Sequence, residues 1–234
     1  MIGFAAIAPH GEVEDSPELL AAMQELGRRH DGRTTVVVTP HNVHVEGHFA
    51  VSVSARVGGH EVDRELALRL VDAARATGLP VVGVSYGGND PTQAELPLDW
   101  GTEVPLRYIE APKVVVVAPA RDRPLEEHIR FGQVLARFDL ALIASADHGH
   151  AHDAAGPYGF DPAAAEYDAR FRDLTAAGDF RPLAELVEAA KADSLWQLLV
   201  LQGATGGRPL ELLAYAAPTY YGMAVAALQV VAAR

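Results

Sequence analysis

The chain has 234 residues, enough for one sizeable hydrophobic core, and no Ser/Gly/Pro-rich stretch or charge block divides it, so a single domain over residues 1–234 is expected. Its 31 acidic and 19 basic residues leave a formal charge of −12, the wrong sign for a nucleic-acid or anionic-membrane surface, and a small-molecule substrate fits better. With no cysteine, disulfides, thiolate nucleophiles, iron–sulfur clusters and Cys-based zinc sites are excluded, and a bound metal must use His and carboxylate ligands.

In chain order, residues 2–8 read as a buried strand ending at Ala8-Pro9-His10. These first residues lack a basic region and turn polar too early for a secretory signal, so a cytoplasmic protein is expected. Ser16 and Pro17 open a helix as N-cap and first helical residue, and it runs to about Arg29. The β-branched run 34–39 ends at Pro40-His41, and residues 49–57 alternate apolar and small polar residues as a second strand, with hairpin-like pairing expected between them. Residues 62–76 have helical spacing closed by Gly78, and 80–85 return to a strand. Residues 114–118 and 140–144 are further buried runs around a helix at 125–137. Helices are expected at 162–176, 182–192 and 194–201, and strands at 210–215 and 222–231. The uncharged stretch 212–233 is long enough to span a bilayer, but Pro218 and Gly222 make two buried strands around a turn the better reading. The alternation predicts an α/β fold with a largely parallel central sheet flanked by helices.

Such a sheet gathers the C-terminal ends of its strands along one edge, where His10 and His41, each after a proline at a strand end, can converge as metal ligands. His44 and His48 have the spacing of helical zinc sites, but Gly47 and the β-branched neighbours argue against a helix, leaving them as surface or channel residues. The run from Asp147 to His152 alternates three histidines around Gly149 as it leaves a strand; a histidine there, oriented by Asp147, suits acid–base work beside a metal-bound phenol. The turn-rich aromatic segment 156–162, with Tyr158, can wall a pocket for a planar substrate.

Taken in order, Ala8-Pro9-His10, Pro40-His41, the segment 98–106, the segment 145–150 and the segment 156–162 resemble the class III extradiol ring-cleaving dioxygenases of LigB type and their relatives, the Memo-like proteins. The resemblance implies non-haem Fe(II), with zinc as the alternative ion, held by His10, His41 and a carboxylate. That carboxylate falls on Asp193, just before the helix leading into Leu198–Ala204, with Glu211 and Glu188 in reserve; Asp193-Ser194 also reads as an N-cap region. It further implies His150 as catalytic acid–base, assisted by Asp147, with Trp100, Tyr158 and His148 at the substrate. Trp100 stands in the family's substrate-side loop where many members have histidine. A site that prefers a flat, apolar ring and handles anionic catechols poorly is therefore expected. The implied activity is cleavage of a catechol-like or aminophenol-like ring with O₂, in a homo-oligomer serving aromatic catabolism. The rivals are a Memo-like binding protein that has lost the reaction and a zinc-dependent hydrolase on the same ligands.

Overall fold

The computed structural model describes residues 2–229, which build an α/β fold around one eight-stranded sheet. The elements are β1 (Ala5–Ala8), α1 (Pro17–Arg29), β2 (Thr35–Val38), β3 (Phe49–Ser52), β4 (Arg56–Val57), β5 (His60–Glu61), α2 (Arg64–Ala76), β6 (Val81–Val84), β7 (Glu95–Leu96), α3 (Trp100–Tyr108), β8 (Val114–Ala118), α4 (Leu125–Leu135), β9 (Ala141–Ser145), α5 (Pro162–Thr175), α6 (Val187–Ala190), α7 (Leu195–Thr205), β10 (Leu210–Ala216) and β11 (Met223–Leu228). The sheet order is β10-β11-β1-β9-β2-β8-β3-β6, and β5-β4-β7 form a small second sheet. The central run β1-β9-β2-β8 is parallel throughout.

These four strands are apolar at nearly every position because both faces of the sheet are covered. Successive residues alternate between two cores. Ile7, Val36, Val38, Val115, Val117 and Leu142 meet α2, α4 and α7 side chains such as Leu70, Phe131 and Leu198. Ala6, Ala8, Val37, Val116 and Ile143 pack with Leu19, Met23 and Leu26 of α1. A Cβ on Gly132 of α4 or Gly203 of α7 would strike the backbone of the other helix, so this glycine pair lets the two helices approach closely. That packing seats α7, whose N-terminal approach carries Asp193.

The α1 start is as expected: the Ser16 hydroxyl accepts from the Leu19 amide, with Pro17 at the first helical position. Other expectations need correction. The segments 34–39 and 49–57 do not pair with each other. Both edges of β2 are taken by β9 and β8, while β3 runs antiparallel to β8 and parallel to β6. Segment 49–57 is also interrupted, its last residues joining the small sheet as β4. The region 98–106 is largely the helix α3, started by Asp99, whose carboxylate accepts from the Thr102 amide; Gly101 and Pro105 hide it from a propensity reading. The region 182–192 divides into a 3₁₀ turn, Arg181–Glu185, and the short α6. The uncharged C-terminal stretch is a hairpin of β10 and β11, the latter antiparallel to β1; residues 230–231 of the last expected strand lie outside the described residues. Among the described residues no helix is long and apolar enough to cross a membrane.

Candidate metal centre and active site

The strand order places three loops side by side at one sheet edge: β1 leads to His10, β9 to Asp147 and β2 to His41. His10 and His41 therefore flank β9 rather than sitting on adjacent strands. Their Nε2 atoms lie 3.0 Å apart. Asp193, from the connection between α6 and α7, brings its Oδ2 to 3.4 Å from each of these nitrogens. Separations of this size are those of three ligands on one face of an ion with bonds of roughly 2.0–2.2 Å. Among the described residues, His10, His41 and Asp193 form the group of His and carboxylate side chains able to hold a metal ion.

Each ligand is held by its other polar atom. His10 Nδ1 lies 3.0 Å from Ser145 Oγ at the end of β9, which turns Nε2 toward the centre. Asp193 Oδ1 accepts from the Asp147 amide at 3.3 Å, leaving Oδ2 free. The His41 amide donates to Thr39 Oγ1, and Thr39 donates to Asp99 Oδ1 at 2.7 Å. Asp99 also accepts from the Asn42 side chain and from Thr102, so it ties the loop carrying His41 to the start of α3. Gly101 permits this, because a Cβ there would overlap the Thr39 hydroxyl.

The electrostatics favour a cation. Burial works against charge on His10, yet the Asp147 and Asp193 carboxylates outweigh it and lift its pKa to about 9. Burial pushes Asp147 up despite nearby His10. Asp193 is held well below the carboxylate range: burial opposes ionisation, but His10 and hydrogen bonds from His10 and His41 prevail. A buried carboxylate pair that retains a proton on imidazole offers the same attraction to a divalent ion. The donors present fit a His₂-carboxylate metal.

The histidine loop after β9 is fastened at every second residue. The amides of His148, His150 and His152 donate to the carbonyls of Gly222, Ala190 and Tyr220. Between them, the Gly149 amide donates to Asp168 Oδ1 at 2.7 Å, and Asp168 Oδ2 also meets His152 Nε2 and the Tyr215 hydroxyl, each at 2.8 Å. His150 lines the cavity. Its Nδ1 is 2.7 Å from the His148 carbonyl, which only accepts, so in the neutral ring Nε2 is the basic nitrogen. Tyr221 stacks against it, ring centroids 5.5 Å apart.

The chain matches the catalytic LigB subunit of aromatic ring-opening dioxygenase over residues 7–228. It belongs to that family. Among solved structures it is similar to an uncharacterized protein from Escherichia coli K12, with 18% sequence identity, 97% of this chain and 99% of that chain covered, and a TM-score of 0.71, a likeness that speaks for the fold. Comparison with curated proteins gives no match.

In this LigB-family chain the cavity around the three ligands has a volume of about 580 Å³. Asp147, Trp100, Tyr158 and Glu188 line it together with His150. Trp100 is 57% exposed and its ring lies 4.3 Å from that of His41, tilted by 33°. His148, expected at the substrate, does not line the cavity. It is fully buried, packs on Phe171 with ring centroids 3.8 Å apart, and leaves both ring nitrogens without hydrogen bonds. Burial lowers its pKa to about 4, so it stays neutral. Residues two apart share a face in a regular strand, but 148–150 is not a strand: its successive amides donate to the Gly222 carbonyl, the Asp168 carboxylate and the Ala190 carbonyl, and of the two histidines only His150 lines the cavity. Glu211 lies on β10 in an ion pair with Arg29, away from the centre, and Glu188 lines the cavity without joining the cluster. His44 and His48 sit in a turn and bond to the Pro40 and Glu46 carbonyls.

Asp99 and Asp168 were not legible as structural hubs, although Asp168 carries a signal. It shares the buried side of α5 with Ala164, Tyr167, Phe171 and Thr175, where a lone carboxylate must have partners. Replacing Asp99 by Ala removes the acceptor that ties Thr39, Asn42 and Thr102 together. Zinc affinity, measured by competition with a fluorescent chelator, is expected to fall about 10- to 100-fold, as for residues that orient a ligand. An unchanged affinity would restrict Asp99 to capping α3.

Proposed function

We propose that the protein is a non-haem Fe(II)-dependent extradiol dioxygenase that opens a catechol-like or aminophenol-like ring next to its paired oxygen or nitrogen donors, incorporating both atoms of O₂. The observation that carries this reading is the convergence of two imidazole nitrogens and one carboxylate oxygen, 3.0, 3.4 and 3.4 Å apart, at the strand ends of a LigB-family chain. Cleavage of aromatic compounds in the cytoplasm is the setting this chemistry fits.

His10, His41 and Asp193 would hold the metal from one side, leaving its other side to the cavity. Bound Fe(II) would supply Lewis acidity toward the substrate's donors and the electron transfer that O₂ needs. His150 would accept a proton from the substrate hydroxyl at Nε2 and return it as the ring opens. Asp147, which feels the charge of His150, favours the imidazolium formed in between. The carbonyl of His148 holds Nδ1 and keeps the basic nitrogen facing the substrate. Trp100 and Tyr158, 57% and 56% exposed on the cavity wall, offer faces for an aromatic ring.

The test is anaerobic purification, metal analysis, reconstitution with Fe(II), and oxygen uptake on catechols and aminophenols with the absorbance of ring-opened product. Uptake matched by product supports the proposal. Stoichiometric iron with no uptake on any member overturns it in favour of a binding protein, and hydrolytic activity with zinc would favour the hydrolase.

A further inference from the structure

The turn between β10 and β11 ends in Tyr220-Tyr221-Gly222, and its backbone is fastened to the histidine loop. The Tyr220 carbonyl accepts from the His152 amide at 3.1 Å, the Gly222 carbonyl accepts from the His148 amide at 2.8 Å, and the Gly222 amide donates to the Gly149 carbonyl at 2.9 Å. Tyr221, between them, lays its ring beside that of His150, centroids 5.5 Å apart and planes inclined by 23°. Three tyrosines stand around His150, but Tyr158 is exposed and Tyr220 half-buried, whereas Tyr221 is 6% exposed. Its far end reaches residue 12, two positions after the ligand His10. The Glu12 amide donates to the Tyr221 hydroxyl at 3.3 Å, and the hydroxyl donates to the Glu12 carboxylate.

Gly11 shows what this reach requires. Its φ lies outside the left-handed region, so the bend after His10 does not call for glycine. A Cβ at position 11 would overlap the hydroxyl end of Tyr221. The chain therefore omits a side chain next to a metal ligand where the phenol enters. Packing against His150 needs only a ring, which phenylalanine would supply; the hydroxyl is what binds the loop after His10. Burial pushes the Tyr221 hydroxyl above the usual tyrosine range and the bond to Glu12 adds to this, so it remains a protonated donor.

We infer that Tyr221 is a positioning residue: a strut clamped by Glu12 at one end and by the histidine loop at the other, which sets where His150 stands relative to the metal ligands. The inference deepens the ring-opening reading and rests on its acid–base role for His150. The His10 amide already donates to Asp147 Oδ1 at 3.1 Å, which joins the two loops at their roots. His150 lies three residues further along, and Tyr221 makes the second tie, at the ring itself. Two separated ties fix an angle that one leaves free. Proton transfer is sensitive to that angle, since a displacement of about 1 Å can lower a rate roughly 10²-fold.

The experiment measures iron content, kcat and KM on catechols for Tyr221→Phe, which keeps the ring and removes the hydroxyl. Iron content and KM should stay within about twofold while kcat falls roughly 10- to 100-fold, because the displaced group is a base rather than a ligand or a binding contact. Glu12→Ala should lose as much, and Glu12→Gln, which keeps an acceptor for the hydroxyl, should recover most of that loss. In a His150→Phe background, Tyr221→Phe should lower the residual rate by no more than about twofold, since the strut acts through a group already gone. An equal loss in both backgrounds would make Tyr221 a packing residue, and a rise in KM with unchanged kcat would make it a substrate contact; either result overturns the strut. The same geometry is read without turnover on zinc-loaded protein. There the ring-proton NMR signals of His150, assigned by their absence from His150→Phe, should shift in Tyr221→Phe and Glu12→Ala and return in Glu12→Gln. Unmoved signals also overturn the proposal. If the wild type opens none of the catechols, the ring-opening reading fails, and the NMR comparison alone then decides whether Tyr221 holds His150.

Discussion

Replacement of Asp193 by Ala is expected to remove metal and turnover together. The carboxylate has two duties, with Oδ2 placed 3.4 Å from both imidazole nitrogens and Oδ1 accepting from the Asp147 amide at 3.3 Å. Without it, His10 and His41 remain as the two imidazole donors, and the carboxylate that favours a divalent ion between them is gone. Residues that only orient a ligand typically contribute 10- to 100-fold in metal affinity, so loss of a ligand should exceed about 10²-fold. Iron content after dialysis against a chelator, measured beside oxygen uptake, is the check. Glu211→Ala serves as the control: Glu211 is committed to Arg29 and should leave the iron content unchanged. Stoichiometric iron retained by Asp193→Ala, and lost from Glu188→Ala, would transfer the third position to Glu188.

The parts legible in the sequence were those whose cause is local. A β-branched run such as residues 35–38 is apolar on both sides because it is covered on both faces, and Pro40-His41 marks its end without reference to the rest of the chain. The N-cap at Ser16 is of the same kind. Strand partners are different, since period-two alternation says that residues 49–52 form a strand but contains nothing about β8 and β6 as neighbours. Helix α3 was obscured because Gly101 and Pro105 lower helix propensity, while its stability comes from Asp99 and from packing of Leu106 and Ile109 into the α1 core. In the site, His10, His41 and Asp193 were readable through the order of motifs. The choice between His148 and His150 depends on which groups anchor the loop.

His150→Phe is expected to keep the metal and lose the reaction. The residue does not belong to the cluster of His10, His41 and Asp193, and its amide bond to the Ala190 carbonyl involves the backbone alone, so the loop should stay fastened in the variant. Phenylalanine also retains an aromatic ring against Tyr221, which lies 5.5 Å away in stacked orientation. What disappears is the basic Nε2 and the Nδ1 bond to the His148 carbonyl. Turnover should fall roughly 10²-fold or more, the usual contribution of a positioned acid–base group. Because substrate must lose a proton for the step to proceed, the residual rate should rise with pH as catechol ionises in solution, whereas a general packing defect would lower the rate evenly across pH. Metal analysis and a pH–rate profile on the same preparation separate the outcomes. Loss of iron from His150→Phe would make His150 a ligand, and wild-type turnover with a wild-type profile would remove it from the mechanism.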